Sequence, residues 1–348
     1  MYKLIRPFLF ALPPELAHHL SLPALGVLHN LSLNKWLFGE TPQLPGTVMG
    51  LKFTNPVGLA AGLDKNGDYI DSLAALGFGF IEVGTVTPRP QLGNPTPRLF
   101  RIPTAQALIN RMGFNNLGVD YLIEKLKKTK FKGVLGVNIG KNVYTPLEKA
   151  SEDYLTCLYK VYPYADYVAI NISSPNTPGL TQLQQRDELD RLLNRLKKVQ
   201  SLLATEHMRY VPIVIKISPD LTVRELAIIA ERLLGYDVDG VIATNTTLSR
   251  VGVENFYPAH ETGGLSGAPL SIRATEVIRQ LNTLLEGKIP IIASGGIMSV
   301  ADAQEKFEAG ASLVQLYSGL IYQGPWLVRH IVRALKQSGY VSDNSLDN

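Results

Sequence analysis

The stretch PIIASGGIMSVADAQEKFEAGASLVQLYSG, residues 290–319, contains one full repeat of the fold. The apolar run 290–293 is long enough for a buried strand and too short for a helix. Gly295-Gly296 ends it, Ser299 stands where a helix N-cap belongs, and 300–309 carries apolar residues at helical spacing. A second apolar run, 312–317, follows and ends at Ser318-Gly319. Strand, turn, helix and strand within about 30 residues make a βαβ unit with parallel strands.

The same alternation extends back to residue 56. Strands are predicted at 56–60, 79–83, 134–138, 167–172, 212–217, 240–244, 290–293 and 312–317, each bracketed by Gly, Pro, Asn or Asp, with a hairpin before them at 48–54. Helices are predicted at 69–76, 117–129, 146–161, 186–206, 223–234, 270–285, 300–309 and 326–337. Thr222 with Glu225 forms a capping-box pattern at the start of one of them. Eight strand–helix repeats predict an α/β fold of the (β/α)8 TIM-barrel type, with an open doubly wound sheet as the alternative. The expected division is a helical segment over residues 1–40, a linker over 41–46, the barrel over 47–340 and a polar tail over 341–348.

Composition agrees with a large buried core. Of 348 residues, 45% are apolar and only 18% charged, and mean hydropathy is +0.06. The net charge of +4 is too small to suggest a nucleic-acid partner. The one cysteine, Cys157, excludes an intrachain disulfide framework and a zinc or iron–sulfur centre held by several thiolates.

Residues 1–39 are rich in Leu and Phe and divide at Pro13-Pro14 into helical pieces over 3–12 and 15–31. Glu15, His18, His19, Pro23 and Asn30 interrupt the apolar stretch, which argues against a span, and no signal-peptide pattern is present. Lys3, Arg6 and Lys35 beside apolar residues suit an anionic membrane surface. A hairpin packed on its own domain is the other reading.

In both α/β architectures the ligand lies at the carboxyl ends of the strands. Those ends carry Ala61-Gly62-Leu63-Asp64-Lys65, Thr85, Asn138, Asn171 with Ser173, Ser174 and Asn176, Lys216, Thr244-Asn245-Thr246, Ser294-Gly295-Gly296, and Tyr317-Ser318-Gly319. The set is rich in amides and hydroxyls and includes two lysines. No histidine falls there, and Asp64 is the one carboxylate, so metal-assisted hydrolysis and Ser-His-Asp chemistry lack their residues. A flavin ring, or a planar diamide bearing a carboxylate, suits such groups. Gly295-Gly296 and Ser318-Gly319 offer backbone for a phosphate after the last two strands. Lys216 should point into the barrel mouth and meet an anion or a polarised carbonyl. The loop Asn110-Arg111-Met112-Gly113-Phe114-Asn115-Asn116 is crowded with amides, and the proline-stiffened loop 171–179 can hold a catalytic group.

Eight segments together carry a resemblance. They are GLAAGLDKNG (58–67), VGTVTPRP (83–90), LINRMGFNN (108–116), GVNIGK (136–141), AINISSPNTPG (169–179), VIATNTT (241–247), GGLSG (263–267) and LVQLYSG (313–319). In this order, and with Pro-Glu-x-Ala-His at 14–18, the chain resembles class 2 dihydroorotate dehydrogenase, the membrane-associated, quinone-reducing type. The resemblance implies an FMN-containing barrel that oxidises dihydroorotate to orotate in pyrimidine biosynthesis. FMN is then expected against Ala61, Gly62, Leu63, Asp64, Lys65, Thr85, Asn138, Asn171, Lys216, Thr244, Gly267, Gly296, Tyr317 and Ser318. The substrate is expected against Lys65, Asn110, Arg111, Met112, Gly113, Phe114, Asn171, Asn176, Asn245 and Thr246. Ser174 matches the family's catalytic base, with hydride passing to flavin N5 and the proton relayed through water and Thr177.

Class 1 relatives use a cysteine as base, and one branch employs an iron–sulfur subunit. The serine at 174 therefore implies the quinone-linked class, with no such partner, no metal and no nucleic acid. Residues 1–40 become a quinone entrance and a peripheral contact with the cell inner membrane, on the cytoplasmic side. Two rival readings are a Schiff-base aldolase with Lys216 as nucleophile and a non-catalytic membrane-surface protein. A flavin spectrum separates both from the first.

Overall fold

The structure, a computed structural model, describes residues 2–33 and 37–340. Two helices lead, α1 (Tyr2–Ala11) and α2 (Pro14–Asn30), then a hairpin of β1 (Gly46–Val48) and β2 (Leu51–Phe53). The alternation begins with β3 (Val57–Leu59), α3 (Ile70–Ala74) and β4 (Phe80–Val86). The chain then makes an excursion through β5 (Leu99–Ile102) and β6 (Ala107–Asn110). It resumes with α4 (Val119–Leu126), β7 (Val134–Ile139), α5 (Ala150–Val161), β8 (Tyr167–Asn171), α6 (Arg186–Glu206), β9 (Ile213–Ile217), α7 (Val223–Gly235) and β10 (Gly240–Ala243). A second excursion carries β11 (Gly264–Gly267). The chain closes with α8 (Ser271–Leu285), β12 (Ile291–Ser294), α9 (Val300–Glu308), β13 (Leu313–Leu316), the short α10 (Ser318–Gln323) and α11 (Trp326–Gln337).

All eight expected barrel strands form, and they close on themselves in parallel in the order β3-β4-β7-β8-β9-β10-β12-β13. The doubly wound alternative is excluded by that closure. Side chains alternate across the wall: Phe80 joins the interior cluster, while Ile81 and Val83 pack beneath the helices. The hairpin stoppers the amino end. Its turn residues Met49 and Gly50 both have positive φ, 55° and 72°, as a two-residue hairpin loop requires. Val48 and Phe53 enter the interior cluster, with the rings of Phe53 and Phe80 edge to face at 5.3 Å.

Several elements differ from the sequence reading. Helix α4 starts two residues later than expected, because Gly118 holds φ 87° and cannot continue a helix. The segment expected as one helix over 146–161 opens with a 3-10 turn, Leu147–Lys149, before α5. The excursions form a three-stranded antiparallel sheet, β5-β6-β11, that the sequence did not announce. It places Asn110, read as a loop residue, at the end of β6 between Leu99 and Gly264. The polar tail over 341–348 lies outside the described residues.

The leading helices lie against the sheet excursion and α10. Arg101 donates to the Phe10 and Leu12 carbonyls at 2.9 and 3.1 Å, Arg6 donates to the Tyr322 carbonyl at 3.0 Å, and Arg98 pairs with Glu15 at 2.7 Å. Helix α1 buries none of its own residues, and Leu4 and Phe8 are each about three-quarters exposed. Among the described residues no helix is long and apolar enough to cross a membrane.

Candidate active site

A cavity opens at the carboxyl end of the barrel. Its wall combines the ends of β3, β4, β8, β9, β10, β12 and β13 with the loops 110–114 and 174–176 and with β11. Of the residues singled out from sequence, Ala61, Gly62, Lys65, Thr85, Asn110, Met112, Gly113, Phe114, Asn171, Ser174, Asn176, Lys216, Thr244, Asn245, Thr246, Gly267, Gly296, Tyr317 and Ser318 line it. No histidine or carboxylate is among the lining residues. Its polar members are amides, hydroxyls, two lysines and glycine backbone, set beside Met112, Phe114, Leu270 and Ile297.

Four of the residues expected against FMN or the substrate lie outside the lining. Leu63 packs into the main apolar core. Asp64 turns away, and its carboxylate accepts the Asp68 and Tyr69 amides at 3.0 and 2.7 Å, anchoring the entry to α3. Arg111 points outward to Glu261 at 2.6 Å and the Pro97 carbonyl at 2.8 Å. Asn138 sits one layer below, where it supports the wall rather than forming it.

That lower layer is a polar network inside the barrel. Asn138 Nδ2 donates to Glu82 at 2.8 Å, Tyr167 donates its hydroxyl to Glu82 at 2.8 Å, and Gln315 Nε2 donates to Glu82 at 2.7 Å. Above it, Thr85 Oγ1 and Asn171 Nδ2 both donate to Asn138 Oδ1, at 2.5 and 3.3 Å. Asn245 Nδ2 then donates to Asn171 Oδ1 at 3.2 Å and to Ser173 Oγ at 3.0 Å. Every amide in the chain is thereby oriented, which a binding site for a ring with alternating donors and acceptors needs. Sequence reading missed Glu82 and Gln315 because it inspected only strand ends. The signal was present: a lone Glu in FIEVGTV (80–86) and a lone Gln in LVQL (313–316) each interrupt an apolar strand.

Several polar groups here have no partner among the described residues. Lys216 is 6% exposed, and among the described residues no hydrogen bond or ion pair reaches its ammonium. Burial pushes its pKa down, opposed by the Glu82 carboxylate below. Gln315 Oε1, in the lining, is buried and unpartnered among the described residues, as is Thr177 Oγ1 outside it. Lys65 donates to the Gly62 carbonyl at 2.9 Å, and its pKa is pushed down to about 8 by desolvation and by Arg98, against the pull of Glu15 and Asp64. Unpartnered buried polar groups around one cavity mark a place where a ligand completes the hydrogen bonding. Gly296, with φ 70°, backs onto Ser271 so tightly that any Cβ would overlap its backbone, leaving bare amide backbone at that edge.

A second cavity, of about 460 Å³, lies between the leading helices and the barrel. It is lined by apolar residues including Leu9, Leu25, Leu63 and Leu320, with His18 and Arg101 as polar members. Burial pushes His18 down to about 4, keeping its ring neutral. Tyr317 lines both cavities and stands between them.

A sequence model of the family described as dihydroorotate dehydrogenase matches residues 43–338. The chain belongs to the dihydroorotate dehydrogenase family. It is 58% identical to a dihydroorotate dehydrogenase (quinone) of Nitrosospira multiformis over 335 residues, 96% of each chain. It is 58% identical to one of Ectopseudomonas mendocina over 96% of this chain and 98% of the other. Among solved structures, the Eimeria tenella DHODH in complex with ferulenol superposes with a TM-score of 0.85 at 38% identity, covering 95% of this chain and 94% of the other. The single thiol of this dihydroorotate dehydrogenase family member, Cys157, is buried on α5 and lies outside the lining of both cavities, its pKa raised by burial.

Proposed function

We propose that this chain oxidises dihydroorotate to orotate with FMN as resident cofactor and a membrane quinone as acceptor, in pyrimidine biosynthesis. The observation that carries the reading is the pair of cavities meeting at Tyr317, one polar and one apolar. A water-soluble reductant and a lipid-soluble oxidant need such separate approaches to one redox group.

The residues present fit the cofactor. Among the described residues Lys216 has no bonded anion and Gln315 Oε1 no donor, and Gly296 leaves backbone free for a phosphate. Thr85, Asn171, Thr244 and Lys216 would hold the ring system, with Gly267, Gly296 and Ser318 toward the phosphate. Bound FMN would supply the two-electron chemistry linking substrate to quinone.

Asn110, Asn176, Asn245 and Lys65 would hold the substrate. Asn176 Nδ2 donates to Asn110 Oδ1 at 3.3 Å, so the two loops present their amides as a unit. Ser174 is the base that removes the substrate proton. It is 6% exposed, and the Asn176 backbone amide lies 3.4 Å from its Oγ. No histidine or carboxylate lines the cavity beside it. A serine hydroxyl is a weak base, so its proton must move on as it accepts another. The onward step is assigned to water and Thr177, whose buried Oγ1, three positions on in the same loop, is unpartnered among the described residues. Lys65 stabilises negative charge that develops on the substrate.

The quinone would enter through the apolar cavity, with residues 1–40 resting on the cytoplasmic side of the cell inner membrane as a peripheral contact. The exposed Leu4, Phe8, Leu16 and Leu20 support that placement. The test is a visible spectrum of the purified protein followed by anaerobic dihydroorotate and then a quinone. Flavin absorbance that bleaches with dihydroorotate and returns with quinone is the expected result. A colourless protein, or a flavin that dihydroorotate does not bleach, would overturn the reading.

A further inference from the structure

Lys306, on α9, is fully buried. Its ammonium donates to the Ser271 carbonyl at 2.7 Å, to Ser271 Oγ at 3.4 Å and to Thr275 Oγ1. All three acceptors are neutral and belong to the first five residues of α8. Asp302 and Glu305 from its own helix and Arg279 from α8 are the charged groups that act on it, and no ion pair reaches it among the described residues. Asp302 is committed to the Met298 amide at 3.0 Å and the Ser299 hydroxyl at 2.8 Å. A buried cation without a bonded anion is destabilising, and the amino-terminal end of a helix repels positive charge further. Burial accordingly pushes the ammonium down to about 8. A neutral donor would tie α9 to α8 without either penalty, so the charge itself calls for a purpose.

The other side of the same helical turn supplies one. Gly295 packs on Leu270 and Ala274, and Gly296 on the Ser271 backbone. Gly295, Gly296 and Leu270 all line the polar cavity. One helical turn is therefore clamped between Lys306 behind and the glycine pair in front.

We propose that Lys306 is a positioning residue for the cofactor's phosphate: it fixes the α8 turn beneath Gly295-Gly296 and supplies a buried positive charge behind the anion. This rests on the assignment of FMN to the cavity. A phosphate dianion held at Gly295-Gly296, across this helical turn, would give the ammonium its missing counter-charge through a low-dielectric interior, where the pair is screened little by salt.

The test compares FMN with riboflavin, which has the same ring system and no phosphate. Wild type, Lys306→Met and Lys306→Gln are stripped of flavin and titrated with each by fluorescence quenching. FMN affinity is expected to fall about 10- to 100-fold in both variants while riboflavin affinity stays within about twofold. Equal weakening of both flavins would reduce Lys306 to a structural tie and overturn the proposal, as would no change in either. Should both variants fail to fold, the wild-type protein still decides. Its preference for FMN over riboflavin should decline as pH rises through the titration of Lys306, and a preference constant from pH 7 to 10 would overturn the charge role. If wild type binds neither flavin, the cofactor assignment fails first and this inference with it.

Discussion

Ser174 and Lys65 show what single residues contribute. If Ser174 is the base, Ser174→Ala leaves flavin content and spectrum unchanged but slows anaerobic flavin reduction by dihydroorotate about 100-fold or more in single-turnover stopped flow. Reduction at the wild-type rate would remove the serine from that role. Lys65 titrates near 8 in the free protein because desolvation and Arg98 disfavour its charged form. Its ammonium is present below that pH and lost above it. Orotate affinity, followed by the flavin spectral shift, should therefore weaken as pH rises through about 8, and Lys65→Met should flatten that dependence. Both residues were legible from sequence, since each stands in a loop directly after a strand. Glu82 was not. It lies in mid-strand, and nothing in the sequence says that Asn138, Tyr167 and Gln315, from three other strands, converge on it.

Elements were read best where local chemistry decides them. Helix α7 begins as expected at a capping box, with Thr222 Oγ1 accepting the Glu225 amide at 3.3 Å and the Glu225 carboxylate accepting the Thr222 amide at 2.8 Å. Thr222→Ala should destabilise the protein by about 1 kcal/mol, read as a lower urea midpoint with unchanged slope. The eight barrel strands were equally legible, because an apolar run closed by Gly or Asn needs no knowledge of its partners. The sheet β5-β6-β11 was missed for the opposite reason. Its strands have four residues each, and Gly264 pairs with Asn110 across more than 150 positions of chain. Four alternating residues become a strand only when a distant partner satisfies their backbone groups.

At the scale of the whole molecule, the leading helices and the barrel share one apolar cavity and one electrostatic contact. Glu15 pairs with Arg98, and both act on the charge of Lys65 inside the polar cavity. Removal of residues 1–40 should leave a barrel that keeps its flavin and is still bleached by dihydroorotate. It should abolish binding to anionic vesicles and reduction of long-tailed quinones. A truncated protein that still binds anionic vesicles would end the membrane reading, and one that still reduces long-tailed quinones at the full rate would end the quinone-entrance reading. Losing Glu15 should also lower the pH at which orotate binding weakens, because a charge that favours the Lys65 ammonium is gone.

The sequence by itself determined the eight strand–helix repeats, the strand-end residues that line the polar cavity, and the family; closure into a barrel rather than an open sheet was decided by the strand pairing. Repeats, strand ends and family follow from period, punctuation and motif, which are local in the chain. Only the tertiary structure decided that Asp64 and Arg111 turn away from the cavity. It alone brought Glu82, Asn138 and Gln315 into one network, set Tyr317 in the wall of both cavities, and set Lys306 behind the glycine pair. Side-chain direction and the meeting of groups far apart in the chain depend on barrel closure and helix packing, and no local pattern encodes either.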